Sequence, residues 1–145
     1  WTKWMAATNL KESNPFVLWD GVFEFYYFEN YGAAFGILQN QRILLIAMTS
    51  IIFIAILWVL IRIPNTKRYL PIRIVGILVA AGAVGNFIDR IYHGYVIDFL
   101  YFKLINFPIF NLADCYVVVS MVLLTLLICF YYKDEDFEVL KKKIV

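Results

Sequence analysis

The chain has 145 residues, one domain's worth, of which 63% are hydrophobic, 19% aromatic and only 17% charged. With a mean hydropathy of +0.74 it is too apolar for a disordered chain, which needs low hydrophobicity and high charge. It is also too apolar for a water-soluble domain of this size, whose surface could not conceal so much apolar area. The net charge of +2, from 13 basic and 11 acidic residues, lacks the basic bias of a nucleic-acid binder, and the bilayer remains as the solvent.

In chain order, Trp1-Thr2-Lys3-Trp4 reads as an interfacial belt of the kind that follows a membrane helix. No signal peptide explains an external start, so a helix upstream of Trp1 is expected. The whole protein would then have four spans and both ends inside. The region over about 13–40 is read as external and partly β. Residues 22–28, rich in Phe and Tyr and bounded by Asp20-Gly21 and Asn30-Tyr31-Gly32, predict a strand. An open sheet edge cannot sit in hydrocarbon, which puts this sheet at the outer interface with its aromatic side toward lipid.

Residues 43–61 carry only Thr49 and Ser50 as polar interruptions and predict a first span over about 42–62, long enough to cross about 30 Å of hydrocarbon. A second span is predicted over 72–91. It is rich in Gly and Ala, as helix–helix interfaces in membranes tend to be, and carries Asn86, Asp89 and Arg90 near its end. Residues 94–102 predict another strand. The third span, over 112–132, has Asp114 in its first turn and Tyr131 and Tyr132 as interfacial anchors. The tail over 133–145 reads as a solvated helix end. All of this forms a single membrane-embedded domain. Cys115 and Cys129 lie 14 residues apart in one apolar run, about 21 Å along a helix, too far for a disulfide.

Basic residues orient the spans. Arg62, Lys67, Arg68 and Arg73 lie between the first two, without an acid, and Lys133, Lys141, Lys142 and Lys143 lie in the tail. Both regions are therefore expected in the cytoplasm. The region before the first span, with Glu12, Asp20, Glu24 and Glu29 against Lys3 and Lys11, and the connection between the last two, with Lys103 and Asp98, are expected outside.

Polar residues within spans are costly and mark functional sites by default. Here Asn86, Asp89, Arg90, Asp98, Asn111 and Asp114 gather at the outer end, with Asn30 from the strand region. Ordinary structural roles compete for several of them. Asp89 and Arg90 could form a helix-end charge pair, Asn111 could cap the third span, and Asp114 could complement the helix dipole. Asp98 is harder to explain structurally, because it interrupts an apolar stretch and an unpartnered buried charge is expensive; Asp114 is the best partner on offer. Two neighbouring carboxylates do not both ionise readily and share a proton, which suits them to general acid–base hydrolysis. Other chemistries lack their residues. His93, the single histidine, reads as an interfacial loop residue and no Cys/His cluster suggests zinc. No Gly-rich phosphate loop is present, and Ser13, Ser50 and Ser120 have no evident His–Asp partners. No metal or organic cofactor is expected. A small transporter or proton relay using outer-face carboxylates is the alternative; the clustering of polar residues at one end, with no path through the spans, disfavours it.

Three ordered blocks carry a family resemblance. Asn30-Tyr31-Gly32-Ala33-Ala34-Phe35-Gly36 resembles an N-x-G-A-A-F/W block. Gly85-Asn86-Phe87-Ile88-Asp89-Arg90, followed by Gly94-Tyr95-Val96-Ile97-Asp98-Phe99, resembles G-N-x-x-D-R and G-x-V-x-D-F. Phe107-Pro108-Ile109-Phe110-Asn111-Leu112-Ala113-Asp114 resembles F-P-x-F-N-x-A-D. In these blocks, and over most of the chain, the sequence is similar to the bacterial lipoprotein signal peptidases (signal peptidase II). Of a further D-Q-x-S/T-K block only Thr2 and Lys3 remain, with Trp1 at the variable position.

The resemblance implies an all-α polytopic enzyme of the bacterial cytoplasmic (inner) membrane with a small extracytoplasmic β-cradle and its active site near the outer face. It implies an aspartyl endopeptidase that acts, as a monomer embedded in membrane lipid, on diacylglyceryl-modified prolipoproteins and cleaves before the lipidated cysteine. Asp98 and Asp114 would be the catalytic pair. Asn30, Gly32, Asn86, Asp89, Arg90, Asn111 and Lys3 would shape the site and bind the substrate.

Overall fold

The structure, a computed structural model, describes residues 1–33 and 37–144. Ala34, Phe35 and Gly36 of the first motif block lie outside the described residues. Three helices are long and apolar enough to cross a membrane. The first is α2 (Arg42–Arg62), the second is α3 (Leu70–Tyr92) with a 3-10 turn (Lys67–Tyr69) ahead of it, and the third is α4 (Leu112–Leu126), extended by a π-helical turn (Leu127–Tyr131). Few residues of these helices are buried within the chain, so their apolar side chains form an outward wall. The two polar interruptions of α2 are satisfied inside the helix: Thr49 Oγ1 donates to Leu45 O at 2.7 Å and Ser50 Oγ to Ile46 O at 2.8 Å.

The central helix is α3, which packs on α2 on one side and α4 on the other. Its glycines set the spacing. A Cβ on Gly82 would come within 2.5 Å of the Ala113 carbonyl oxygen, and one on Gly76 within 2.6 Å of Leu60 Cδ2 in α2. Small residues let helix backbones approach where lipid supplies no hydrophobic drive. The close pass of α3 against the start of α4 brings Asn86 to Asp114.

The expected strands exist with shifted ends. β1 (Phe16–Trp19), β2 (Phe23–Asn30) and β3 (Val96–Phe102) form an antiparallel sheet in the order β1-β2-β3. Phe28 faces Asp98 and Asn30 faces Val96 across the β2–β3 ladder. β3 begins after Gly94, whose φ of +88° makes a turn. The first strand, a four-residue edge with every side chain exposed, lay unresolved within the expected external region.

The N-terminal segment, with Trp1 and Trp4 exposed, is helical. Thr2–Leu10 form a helix, α1, that packs Ala6 against Ile97 and Phe99 on the back of the sheet. Lys3 fastens its start: Nζ reaches Asp89 Oδ2 at 2.8 Å, Asn86 Oδ1 at 2.8 Å and Gly85 O at 3.2 Å. A helix this short is marginal alone; its tertiary contacts hold it.

The tail is also more than a solvated end. α5 (Asp134–Ile144) is pinned by Arg68, whose Nη2 and Nε meet Asp136 Oδ2 and Oδ1 at 2.6 and 3.0 Å. Tyr132, expected as an interfacial anchor, is buried there with Ile63 and Tyr69. Both cysteines are free, Cys115 half-buried and Cys129 exposed.

Two stability measurements test this packing. Gly82→Ala should cost about 1–3 kcal/mol by overpacking the α3–α4 seam, read as a lowered Tm in detergent, and an unchanged Tm would refute the close approach. Lys3→Met leaves the buried Asp89 carboxylate without its cation and should cost about 3 kcal/mol; a Tm equal to the wild type's would show that the pair does not hold α1.

Candidate active site

The start of α4 supplies the organising element. Asn111 is its N-cap, with an extended backbone, and Asn111 Oδ1 accepts from Ala113 N at 2.7 Å and from Asp114 N at 3.3 Å. Asp114 Oδ2 accepts in return from Asn111 N at 2.9 Å. This is a capping box, so the structural roles open to both residues are real. Each side chain nevertheless keeps a polar end for the site. Asn111 Nδ2 donates to Asp98 Oδ1 at 2.6 Å and to Asn86 Oδ1 at 3.1 Å. Asp114 Oδ1 accepts from Asn86 Nδ2 at 2.7 Å.

Asp98, on β3, is 1% exposed and Asn111 is fully buried. The second oxygen of Asp98 accepts from Asn30 Nδ2, on β2, at 2.9 Å. Asp98 and Asp114 are therefore joined through amides: Asn111 touches both, and Asn86 links Asn111 to Asp114. Burial pushes the Asp98 carboxyl up to about 6; the charge of Asp114 acts in the same direction, and the amides of Asn111 and Asn30 oppose it. A buried carboxyl beside a second carboxylate is the arrangement that retains a proton near neutral pH.

The remaining expected residues take supporting places around this core. Asp89 and Arg90 do not pair with each other. Consecutive helix residues do not face one another, and each finds its own partner. Asp89 Oδ2 accepts from Lys3 and from Ile97 N at 2.9 Å, tying α3 to β3. Arg90 Nη2 donates to Gly32 O at 2.9 Å, tying α3 to the turn after β2. Gly32 N donates to Asn30 Oδ1 at 2.9 Å, which leaves the Asn30 amide hydrogens to face Asp98. A Cβ on Gly32 would meet Ile37 O at 2.8 Å, so the turn closes only with glycine. His93 is exposed at the end of α3, stacked on Tyr95.

Asn30, Asn86, Arg90, Asp98 and Asp114 all line one cavity of about 980 Å³. Other lining residues were not foreseen. Phe107, Ile109 and Phe110 from the segment before α4, with Val117 and Val118 of α4, give it an apolar wall, and Gln39, Tyr101 and Asn106 add polar groups. Arg42 was also missed. It donates from Nε to Arg90 O and from Nη2 to Ile91 O, both at 2.8 Å, and so caps the end of α3 beside the site. Nothing in its local sequence marks that contact. Among the described residues no group of His, Cys, Asp or Glu could hold a metal ion.

The chain is similar to known proteins along most of its length. The family model described as signal peptidase (SPase) II matches residues 1–130. A lipoprotein signal peptidase of Streptococcus thermophilus (strain CNRZ 1066) is 37% identical over 136 residues, covering 94% of this chain and 86% of its own length. That of Brevibacillus brevis is 41% identical over 125 residues, covering 86% and 83%. A bacterial membrane enzyme solved by the in meso method at 2.3 Å is similar with a TM-score of 0.80 and 31% identity, over 92% of this chain and 83% of its own. The chain spans most of its relatives' length, its three membrane helices make it a multi-pass membrane protein, and it belongs to the signal peptidase II family, whose members remove signal peptides from prolipoproteins.

Proposed function

We propose that this chain is an aspartyl endopeptidase of the bacterial cytoplasmic membrane that acts on diacylglyceryl-modified prolipoproteins and cleaves on the amino side of the lipidated cysteine. The observation that carries the reading is the pairing of Asp98 and Asp114, from separate elements, on one cavity and joined by the Asn111 and Asn86 amides. The outer face is its location, because the aspartates lie at the end of the bundle away from Arg62, Lys67 and Arg68. In this reading the enzyme works as a monomer.

In this mechanism Asp98 carries the shared proton and Asp114 is the carboxylate. Asp114 takes a proton from water as the oxygen attacks the scissile carbonyl carbon. Asp98 gives its proton to the carbonyl oxygen, forming a neutral gem-diol. On collapse the C–N bond breaks, Asp114 returns its proton to the leaving nitrogen, and Asp98 recovers one from a diol hydroxyl. The substrate's signal helix lies in lipid beside the spans, with its cysteine at the outer interface. Arg90 and the Asn30 and Asn86 amides hold the substrate backbone beside the aspartates.

Asp98→Asn and Asp114→Asn should each lower turnover of a lipidated proprotein by about a thousandfold while each variant still folds, read as a cooperative melt in detergent. Near-normal turnover by either folded variant refutes the assignment. The pH profile gives a second check. Because the Asp98 carboxyl is raised to about 6, the shared proton is held below that pH and lost above it. The alkaline limb of kcat/KM should therefore fall near pH 6 rather than in the ordinary carboxylate range; a rate still rising through pH 8 would exclude this role for Asp98.

A further inference from the structure

Besides the aspartate network, the cavity is lined by Phe107, Ile109, Phe110 and the valines of α4, and by a polar pair that the network does not use. Tyr101, on β3, donates its hydroxyl to Asn106 Oδ1 at 2.7 Å. Asn106 ends the 3-10 turn (Lys103–Ile105) in the left-handed region, at φ 48° and ψ 43°, and its backbone N–H is used by Lys103 O. This conformation suits Asn and Gly better than other residues. Asn106 is exposed, so its Nδ2 hydrogens, which no hydrogen bond among the described residues uses, are open to a ligand at the cavity wall.

The chemistry of this pair selects its ligand. A side-chain amide offers neutral N–H donors. The cation three residues before it, Lys103, is engaged by the buried Glu24 at 3.1 Å and is not free for the phosphate or carboxylate that a charged ligand would bring. An ester carbonyl is a neutral acceptor attached directly to an acyl chain, so it suits a neutral donor set among apolar side chains. Leu104, Ile105 and Phe107 beside Asn106 are exposed, giving acyl chains a path from the cavity into lipid.

We propose that Asn106, oriented by Tyr101, hydrogen-bonds an ester carbonyl of the diacylglyceryl group on the substrate cysteine, making this pair the subsite that reads the lipid linkage. The assignment rests on the reading of the chain as a lipoprotein signal peptidase and adds the residues that distinguish its lipid. Acyl chains leave past Phe107 and Ile105, while the cysteine's amide lies at the aspartates.

The test uses the full chain in detergent micelles and two synthetic propeptides. One carries a dipalmitoylglyceryl cysteine and the other its dihexadecyl ether analogue, which has no ester carbonyl. The wild type should prefer the ester by about tenfold in kcat/KM, the factor expected of one hydrogen bond. Asn106→Gly keeps the left-handed backbone and removes the amide, and its preference should collapse to near unity. Asn106→Asp puts an acceptor against the carbonyl and should bring the preference below unity. A wild type that cleaves both peptides equally overturns the subsite, as does an Asn106→Gly that keeps the full preference, and both leave the peptidase reading intact. A wild type that cleaves neither peptide overturns both. A thermal melt of each variant accompanies the assay, and Tyr101→Phe, which removes the orienting hydroxyl without touching the turn, should lower the preference if Asn106→Gly proves unfolded.

Discussion

Burying Asp98 is the constraint around which the site is built. A carboxylate cut off from water must be neutralised, paired or richly hydrogen-bonded. Among the described residues no cation touches it, and its two oxygens are held by the amides of Asn111 and Asn30. These donors soften the cost of burial without cancelling it, so the carboxyl titrates well above its usual range. An arginine or lysine in direct contact would have stabilised the ionised form and removed the proton that the proposed acid catalysis requires. The cations of the site are instead directed elsewhere, Lys3 to Asp89 and Arg90 to the Gly32 carbonyl.

The amides must be fixed for this to work, and the helices fix them. Asn111 uses its oxygen to cap α4, which forces its nitrogen toward Asp98 and Asn86. Asn30 uses its oxygen on Gly32 N and turns its nitrogen to Asp98 in the same way. In both residues a local backbone requirement removes the freedom of the amide to rotate, so the donors are preorganised. The glycine seam of α3 then delivers Asn86 to Asp114.

Much of this was legible in the residue order. The spans of α2, α3 and α4 were readable because membrane insertion depends on local apolar length, and their observed ends fall within a few residues of expectation. The polar residues of the site were readable too, since Asn86, Asp98 and Asp114 stand out against apolar neighbours. Less legible were α1 and β1. The nine residues of α1 carry little amphipathic signal, and the four of β1 are exposed throughout; each exists because something else packs or pairs with it. The Arg68–Asp136 clasp was hidden for the same reason, joining residues on two separate connections.

The sequence by itself therefore determined that the chain lives in a bilayer, that its polar chemistry sits at one end of three spans, and that the motif blocks are those of one peptidase family. The tertiary structure decided which partner each polar group has. It separated Asp89 from Arg90, gave Lys3 to Asp89 across 86 positions and Asn30 to Asp98 across 68, and left Tyr101 and Asn106 together on the cavity wall. The physical reason is range: hydropathy is summed over neighbours along the chain, whereas a buried hydrogen bond is chosen among groups that only folding brings within about 3 Å.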